Sequence, residues 1–345
     1  MAGVPDEDVA KLRGIITQYF SSRALYAAVA LDVAAALAGG ARGIDELAGA
    51  VGAHAPSLYR LLRVLAASGI FREGEGRRFT NSPLSELLRA DVPGSLRDLV
   101  LLFGDETSWR SWEAILHAVR TGEAPFEHIY GEKFFDFLQD HADTAAMFDR
   151  AMASASSTTN AAVVEACDFS HFGTLVDVAG GTGSALCSIL KATPGLRGIV
   201  FDLPHVAQRA REFIAAQGLA ERCEFAGGSF FEAVPPGAGA YFMKHILHDW
   251  GDAECGEILG ACRKAMSGEA RLLICERIVP PGNEPSSAKL IDLHMMMTNH
   301  GGKERTEQEY RELLAAAGFG LQRVIPTSTP WSVIEAIKKQ VKEER

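Results

Sequence analysis

Between residues 173 and 280, short apolar runs alternate with longer amphipathic ones, and that alternation decides the fold class. "TLVDVAG", "RGIVFDLP", "CEFAGGSFF", "GAYFMKHIL" and "ARLLICERIV" are short and almost continuously apolar. They read as strands buried on both faces, the habit of a parallel sheet. "GTGSALCSILKATPG", "HVAQRAREFIAAQG" and "DAECGEILGACRKAM" supply helices between them. "TEQEYRELLAAAGF" adds another, with Thr306 and Glu309 at capping-box spacing. "LQRVIPTS" and "WSVIEAIKK" read as a terminal strand pair. The expected architecture is α/β, with helices on both faces of a doubly wound sheet.

Residues 8–160 carry a different, helical pattern. "RALYAAVALDVAAALAGG" is Ala/Leu-rich and stops at Gly39-Gly40. "GIDELAGAVG" and "APSLYRLLRVLAASG" predict two shorter helices, Pro56 suiting an N1 position and Gly69 a C-cap. "IFREGEGRRFTNS" then reads as a β-hairpin around Gly74 and Gly76, which completes a winged-helix order. Winged helices often grip DNA, but residues 1–100 hold eleven Lys/Arg against eleven Asp/Glu. Without concentrated positive charge, phosphate affinity is not expected, and a structural module is the preferred reading. Further helices follow in "EKFFDFLQ" and "ADTAAMFDRAMASAS".

The whole chain has 345 residues and a formal charge of −10, a balance that repels nucleic acids and anionic membranes. Its six cysteines lie scattered without a C-x-x-C pair, as reduced thiols in a cytoplasmic protein would. "MAGVPDEDVAKL" lacks a signal-peptide core, and no apolar run reaches the roughly 18 residues of a membrane helix.

In parallel sheets, ligands bind beyond the carboxyl ends of the strands. Every predicted core strand puts something polar or glycine-rich there: Asp177 before Ala179-Gly180-Gly181-Thr182-Gly183, then Asp202, then Gly227-Gly228-Ser229-Phe230, then Lys244 and His248-Asp249-Trp250, then Glu276. A glycine cluster after a strand is often only a tight turn. As a dinucleotide loop it is incomplete, since Leu186 stands where the third glycine belongs. It fits better the D-x-G-x-G-x-G loop of enzymes that bind S-adenosylmethionine (SAM), although Ala179 replaces the first glycine. Asp202 suits a pair of ribose hydroxyls, which either cofactor would offer.

In their order, "LVDVAGGTG", "FDLP", "GGSFFEAVP", "KHILHDW", "ICERIVP" and "GGKERTEQEYRELLAAAGF" resemble the metal-independent, SAM-dependent small-molecule O-methyltransferases. These are the caffeate- and flavonoid-type plant enzymes and their bacterial natural-product relatives. The resemblance implies a Rossmann-like class I methyltransferase domain over residues 161–345. It further implies a mainly helical winged-helix dimerisation domain over 1–105, and a helical linker contributing to the acceptor pocket over 106–160. It implies a homodimer that needs no metal, converts SAM to S-adenosylhomocysteine (SAH) and takes a small aromatic acceptor; the charge balance adds the expectation of no nucleic-acid or membrane partner. Carried over by position, His248 matches the general base and Glu276 and Glu304 the acids beside it. Asp177, Gly180, Gly181, Asp202, Ser229, Phe230, Lys244 and Trp250 match the cofactor site. Phe148, Met152, Met295 and Asn299 match the acceptor pocket. Ser229 stands where the family often has Asp, and Ala155 where plant enzymes often have histidine.

The residue types suit the chemistry. A sulfonium methyl is already activated, whereas a phenol of pKa about 10 is mostly protonated at neutral pH. A neutral imidazole can take that proton while a carboxylate on its far nitrogen fixes the tautomer. N-methylation is the alternative, since neutral amines need no base. Asp249 and Asp252 also have a plainer expected role, as caps of the helix that follows.

Overall fold

The computed structural model describes residues 5–339, which gather into two compact units. The first four residues of the acidic N-terminal run, and the Ala155 side chain, lie outside the described residues. One unit comprises residues 5–109 with 138–155, the other 110–137 with 156–339.

In the first unit a helix runs from Asp6–Ala30, and a second, short one from Val33–Ala36. The Ala-rich stretch expected as one helix is therefore broken. Asp32 adopts a left-handed φ of 52° and accepts two hydrogen bonds from Arg97. Short polar residues tolerate that conformation better than most, and here an ion pair fixes it. Next come β1 (Arg42–Gly43), helices Ile44–Val51 and Ala55–Ala67, β2 (Phe71–Gly74) and β3 (Arg78–Asn81), the strands forming an antiparallel sheet in the order β1-β3-β2. This is the winged-helix order. Leu58, Leu62 and Leu65, at helical spacing, bury against Leu47, Phe71 and Phe79. Along the first helix, Leu12, Ile15, Ile16, Tyr19 and Phe20 recur at the same spacing but stay exposed.

The second unit is built on seven strands: β4 (Thr174–Val178), β5 (Arg197–Asp202), β6 (Cys223–Gly227), β7 (Ala240–Lys244), β8 (Arg271–Arg277), β9 (Phe319–Pro326) and β10 (Trp331–Lys338). Their order is β6-β5-β4-β7-β8-β10-β9, parallel from β6 to β8 and antiparallel across β8-β10-β9. Alternation along the strands separates two cores. Val176, Val178, Tyr241, Met243, Leu272 and Ile274 pack with helices Asp252–Ala265 and Glu307–Ala316. Leu175, Val200, Ala240, Phe242, Leu273 and Cys275 pack with helices Ser184–Ala192 and Ala207–Ala216. The capping box forms as expected: Glu309 N–H donates to Thr306 Oγ1, and Thr306 N–H to Glu309 Oε2. Among the described residues no helix is long and apolar enough to cross a membrane.

Ala179, the residue where the glycine loop departs from pattern, leaves β4 with φ at 55°. A Cβ in that conformation costs roughly 1–2 kcal/mol, partly offset by the greater freedom glycine has in the unfolded chain. Ala179→Gly should therefore raise stability by about 0.5–1 kcal/mol, measured as a higher urea midpoint at unchanged slope. A lower midpoint would show that the turn is not strained.

Candidate active site

The carboxyl edge of the parallel strands gathers the polar residues expected there. Behind β4, a Cβ on Gly180 would fall 2.6 Å from Asp177 Oδ2, so only glycine lets the loop lie over that carboxylate. Gly181 N–H donates to Asp202 Oδ2 at 2.7 Å and Leu203 N–H to Oδ1 at 2.7 Å. Asp202 thus ties the glycine loop to the end of β5 while each of its oxygens keeps a further acceptor position. Asp177 is buried, its Oδ2 without a hydrogen-bond partner among the described residues. Burial pushes its carboxyl up, to about 7, with Lys244 acting in the opposite direction. Lys244, at the end of β7, donates to Asn160 Oδ1 at 2.9 Å, and Asn160 Nδ2 donates to Ser184 Oγ at 2.9 Å. Asn160 sits in the long helix Ala142–Ala166 outside any motif, and nothing in the sequence pointed to it. Past β6, Ser229 Oγ accepts from Phe231 N–H at 3.3 Å. Phe230 and Phe231 meet the Trp250 ring edge to face, at 6.0 and 5.0 Å between centroids.

Beyond Lys244 the chain turns sharply. His245 takes a φ of 59°, its ring stacked on Trp331 at 3.6 Å, and a single 3₁₀ turn, Leu247–Asp249, presents His248. The His248 side chain is 11 % exposed. Its Nδ1 lies 3.0 Å from Glu304 Oε1 and 3.8 Å from Glu276 Oε2. On the other side, Nε2 lies 3.7 Å from Asp249 Oδ1, beyond hydrogen-bond reach. The two acids expected beside the base have different tasks. Glu304 meets the ring nitrogen, while Glu276, fully buried, accepts the N–H groups of Ile246 and Leu247 on Oε1, both at 2.9 Å. Glu276 Oε2 has no hydrogen-bond partner among the described residues.

Burial disfavours an imidazolium, yet Glu276, then Asp249 and Glu304, outweigh it and raise His248 to about 10. Burial raises Asp249 to about 6, against the pull of His248. It raises Glu276 likewise. Asp249 does not cap a helix: it accepts from Asn299 Nδ2 at 2.8 Å. The N-cap of helix Asp252–Ala265 is Gly251, with no side-chain cap, and Asp252 instead pairs with Lys303 and Arg305.

Met295 and Asn299 are buried at the end of helix Ser287–Thr298, close enough that Asn299 Nδ2 also faces Met295 Sδ at 3.9 Å. On the same helix His294 lies parallel to Trp112, 6.2 Å away, and burial holds its imidazole down at about 4. Phe148 and Met152 belong to the other unit, half-buried on helix Ala142–Ala166. His248, Glu276 and Glu304 bring three ligand-type atoms within 4.8 Å of one another. All three residues are already bonded within the protein: His248 Nδ1 and Glu304 to each other and Glu276 to two amides.

Residues 112–320 match the family model of the O-methyltransferase domain, and residues 14–91 match the O-methyltransferase dimerisation domain. The chain is 42% identical over 322 residues to the phenazine O-methyltransferase PhzM of Lysobacter antibioticus, covering 93% of this chain and 94% of that one. It is 34% identical over 315 residues to the 8-amino-8-demethylriboflavin N,N-dimethyltransferase of Streptomyces davaonensis, covering 90% of each. Among solved structures, CalO1, a methyltransferase in calicheamicin biosynthesis in its SAH-bound form, superposes with a TM-score of 0.86 at 32% identity, covering 97% of this chain and 99% of that one. The chain belongs to the O-methyltransferase family, with that family's catalytic domain and dimerisation domain both present.

Proposed function

We propose that this chain transfers a methyl group from SAM to a hydroxyl, phenolic in kind, of a small aromatic natural product, and that His248 takes the proton. The observation that carries the reading is a buried imidazole with Nδ1 on Glu304 and Nε2 left without a hydrogen bond among the described residues. A base needs that asymmetry, one nitrogen oriented and the other available.

The strand-end residues suit the cofactor. Asp202 has acceptor positions for two ribose hydroxyls, and Lys244 and Asp177, at the ends of β7 and β4, are the polar residues of this reading for the amino-acid end. Phe230 and Trp250 give adenine an apolar surface, and Ser229 a hydroxyl. When bound, SAM supplies a methyl group on a positively charged sulfur. What the chain's residues do is hold the acceptor oxygen and manage its proton. Met295 and Asn299, the latter donating to Asp249 beside His248, are acceptor-pocket residues of this reading.

A histidine raised to about 10 rests as an imidazolium at neutral pH, paired with Glu304. That value matches a phenol's, about 10, so the proton can pass between oxygen and Nε2 at little cost. One proton must first leave the resting site, so turnover should rise with pH. The N-methylating relative keeps a second reading open, methyl transfer to an amine, in which no residue need take a proton before transfer. The oriented His248–Glu304 pair supports oxygen. The matched dimerisation domain and the exposed apolar stripe from Leu12 to Phe20 support a homodimer, which sedimentation would measure.

His248→Ala should lower kcat for a phenol by about 10²–10⁴-fold and leave SAH affinity nearly intact in calorimetry. Equal loss of both would remove the base assignment, and full turnover of an amine would favour the second reading. Asp202→Ala should weaken SAH binding by about thirtyfold or more, the worth of two charge-assisted hydrogen bonds. Unchanged affinity would take Asp202 out of the ribose site. Log kcat should climb with pH by about one per unit below an inflection near the His248 value. Glu276→Gln keeps an oxygen for the two amides but removes a charge that raises His248, so the inflection should move to lower pH. An unmoved inflection would contradict the electrostatic account.

A further inference from the structure

Arg305 is fully buried, which is unusual for arginine, and the proposed reaction does not yet use it. Its Nη1 donates to Leu247 O at 2.8 Å and its Nη2 to Trp250 O at 2.9 Å. Those carbonyls stand on either side of His248. Nε and Nη2 both reach Asp252 Oδ1, at 3.1 and 2.8 Å, in the first turn of the next helix, and Nη2 also meets Cys255 Sγ at 3.5 Å. The backbone on either side continues the pattern. Lys303 N–H donates to His248 O at 2.9 Å, and Arg305 O accepts from Val279 N–H at 3.0 Å, just past the end of β8 that carries Glu276. The segments bearing His248, Glu276 and Glu304 therefore meet at this one residue.

We infer that Arg305 is a positioning residue of the reaction, holding the His248 turn by its carbonyls while Glu276 holds it by its amides. The inference rests on the reading of His248 as the base. A side chain needed only to fill that volume would be apolar, because burying a guanidinium beside a single, mostly exposed carboxylate is costly. What the charge provides is a planar fork that reaches two carbonyls and a carboxylate in fixed directions, which a lysine ammonium cannot do. The 3.0 Å contact between His248 and Glu304 depends on both segments staying in register, and Arg305 joins them.

Arg305→Lys keeps the charge and loses the fork. Expected are SAH affinity and acceptor KM within about threefold of the parent, kcat lower by about tenfold or more, and the kcat inflection moved to lower pH as His248 loosens from Glu304. A lowered melting temperature with kcat and the inflection unchanged would overturn the inference and leave Arg305 a purely structural residue. So would parallel loss of SAH affinity, KM and kcat without a pH shift. Should Arg305→Lys fail to fold, Asp252→Ala removes the carboxylate that orients the guanidinium at a mostly exposed side chain. It should give a smaller fall in kcat with the same direction of pH shift, and no shift would overturn the inference. His248→Ala measured alongside separates the two readings. If that variant is inactive while Arg305→Lys behaves as the parent, only the positioning role fails; if it is fully active, the base reading itself fails.

Discussion

Three carboxylates crowded around one imidazole, two of them buried and the third half-buried, are the constraint on which the rest of the strand edge depends. Glu276, Glu304 and Asp249 all face His248 within 4 Å, and the first two have almost no water around them. Such a cluster persists only if every member is tied down, since an unpaired buried charge costs several kcal/mol. The protein meets that demand with backbone and side-chain donors. Glu276 takes two amides, Asp249 takes Asn299, and Glu304 takes the ring. The imidazole's high proton affinity follows from this crowding, and so does the need for fixed loops.

The sheet provides the fixed frame. Parallel strands deliver their carboxyl ends to one edge, and the register between β7 and β8 sets Lys244 opposite Cys275, one residue from Glu276. On the β4–β5 side, Asp202 gathers the glycine loop through Gly181, so the same edge carries the Asp202 carboxylate and the His248 imidazole. The residues that match the family's dimerisation domain precede those that match its methyltransferase domain.

Much of this was legible in the sequence because it is written in periodicity and in strand ends. The buried strands, the glycine loop, the Thr306–Glu309 capping box and the position of His248 all follow from local pattern. What was not legible depends on contacts made across long separations. The break at Asp32 is held by Arg97, 65 residues away, so an Ala-rich run could not announce it. Asn160 reaches Lys244 across 84 residues, from a helix face with no motif. The sequence sets Glu276 and Glu304 beside the ring without distinguishing them. Their division of labour comes from backbone geometry, which places two amide groups in front of one acid and the imidazole in front of the other. Asp249 and Asp252 looked like helix caps because cap preference is local, whereas Asn299 and Arg305 claim them from distant segments.

The proton on His248 can be observed directly by NMR titration of protein carrying ¹⁵N-labelled histidine, the His248 signal being identified by its loss in His248→Ala. The account predicts a ring that stays doubly protonated through neutral pH, with a low-field Nδ1 proton from the bond to Glu304 and a midpoint near 10. A midpoint at the ordinary histidine value of about 6.5, with no low-field proton, would contradict it.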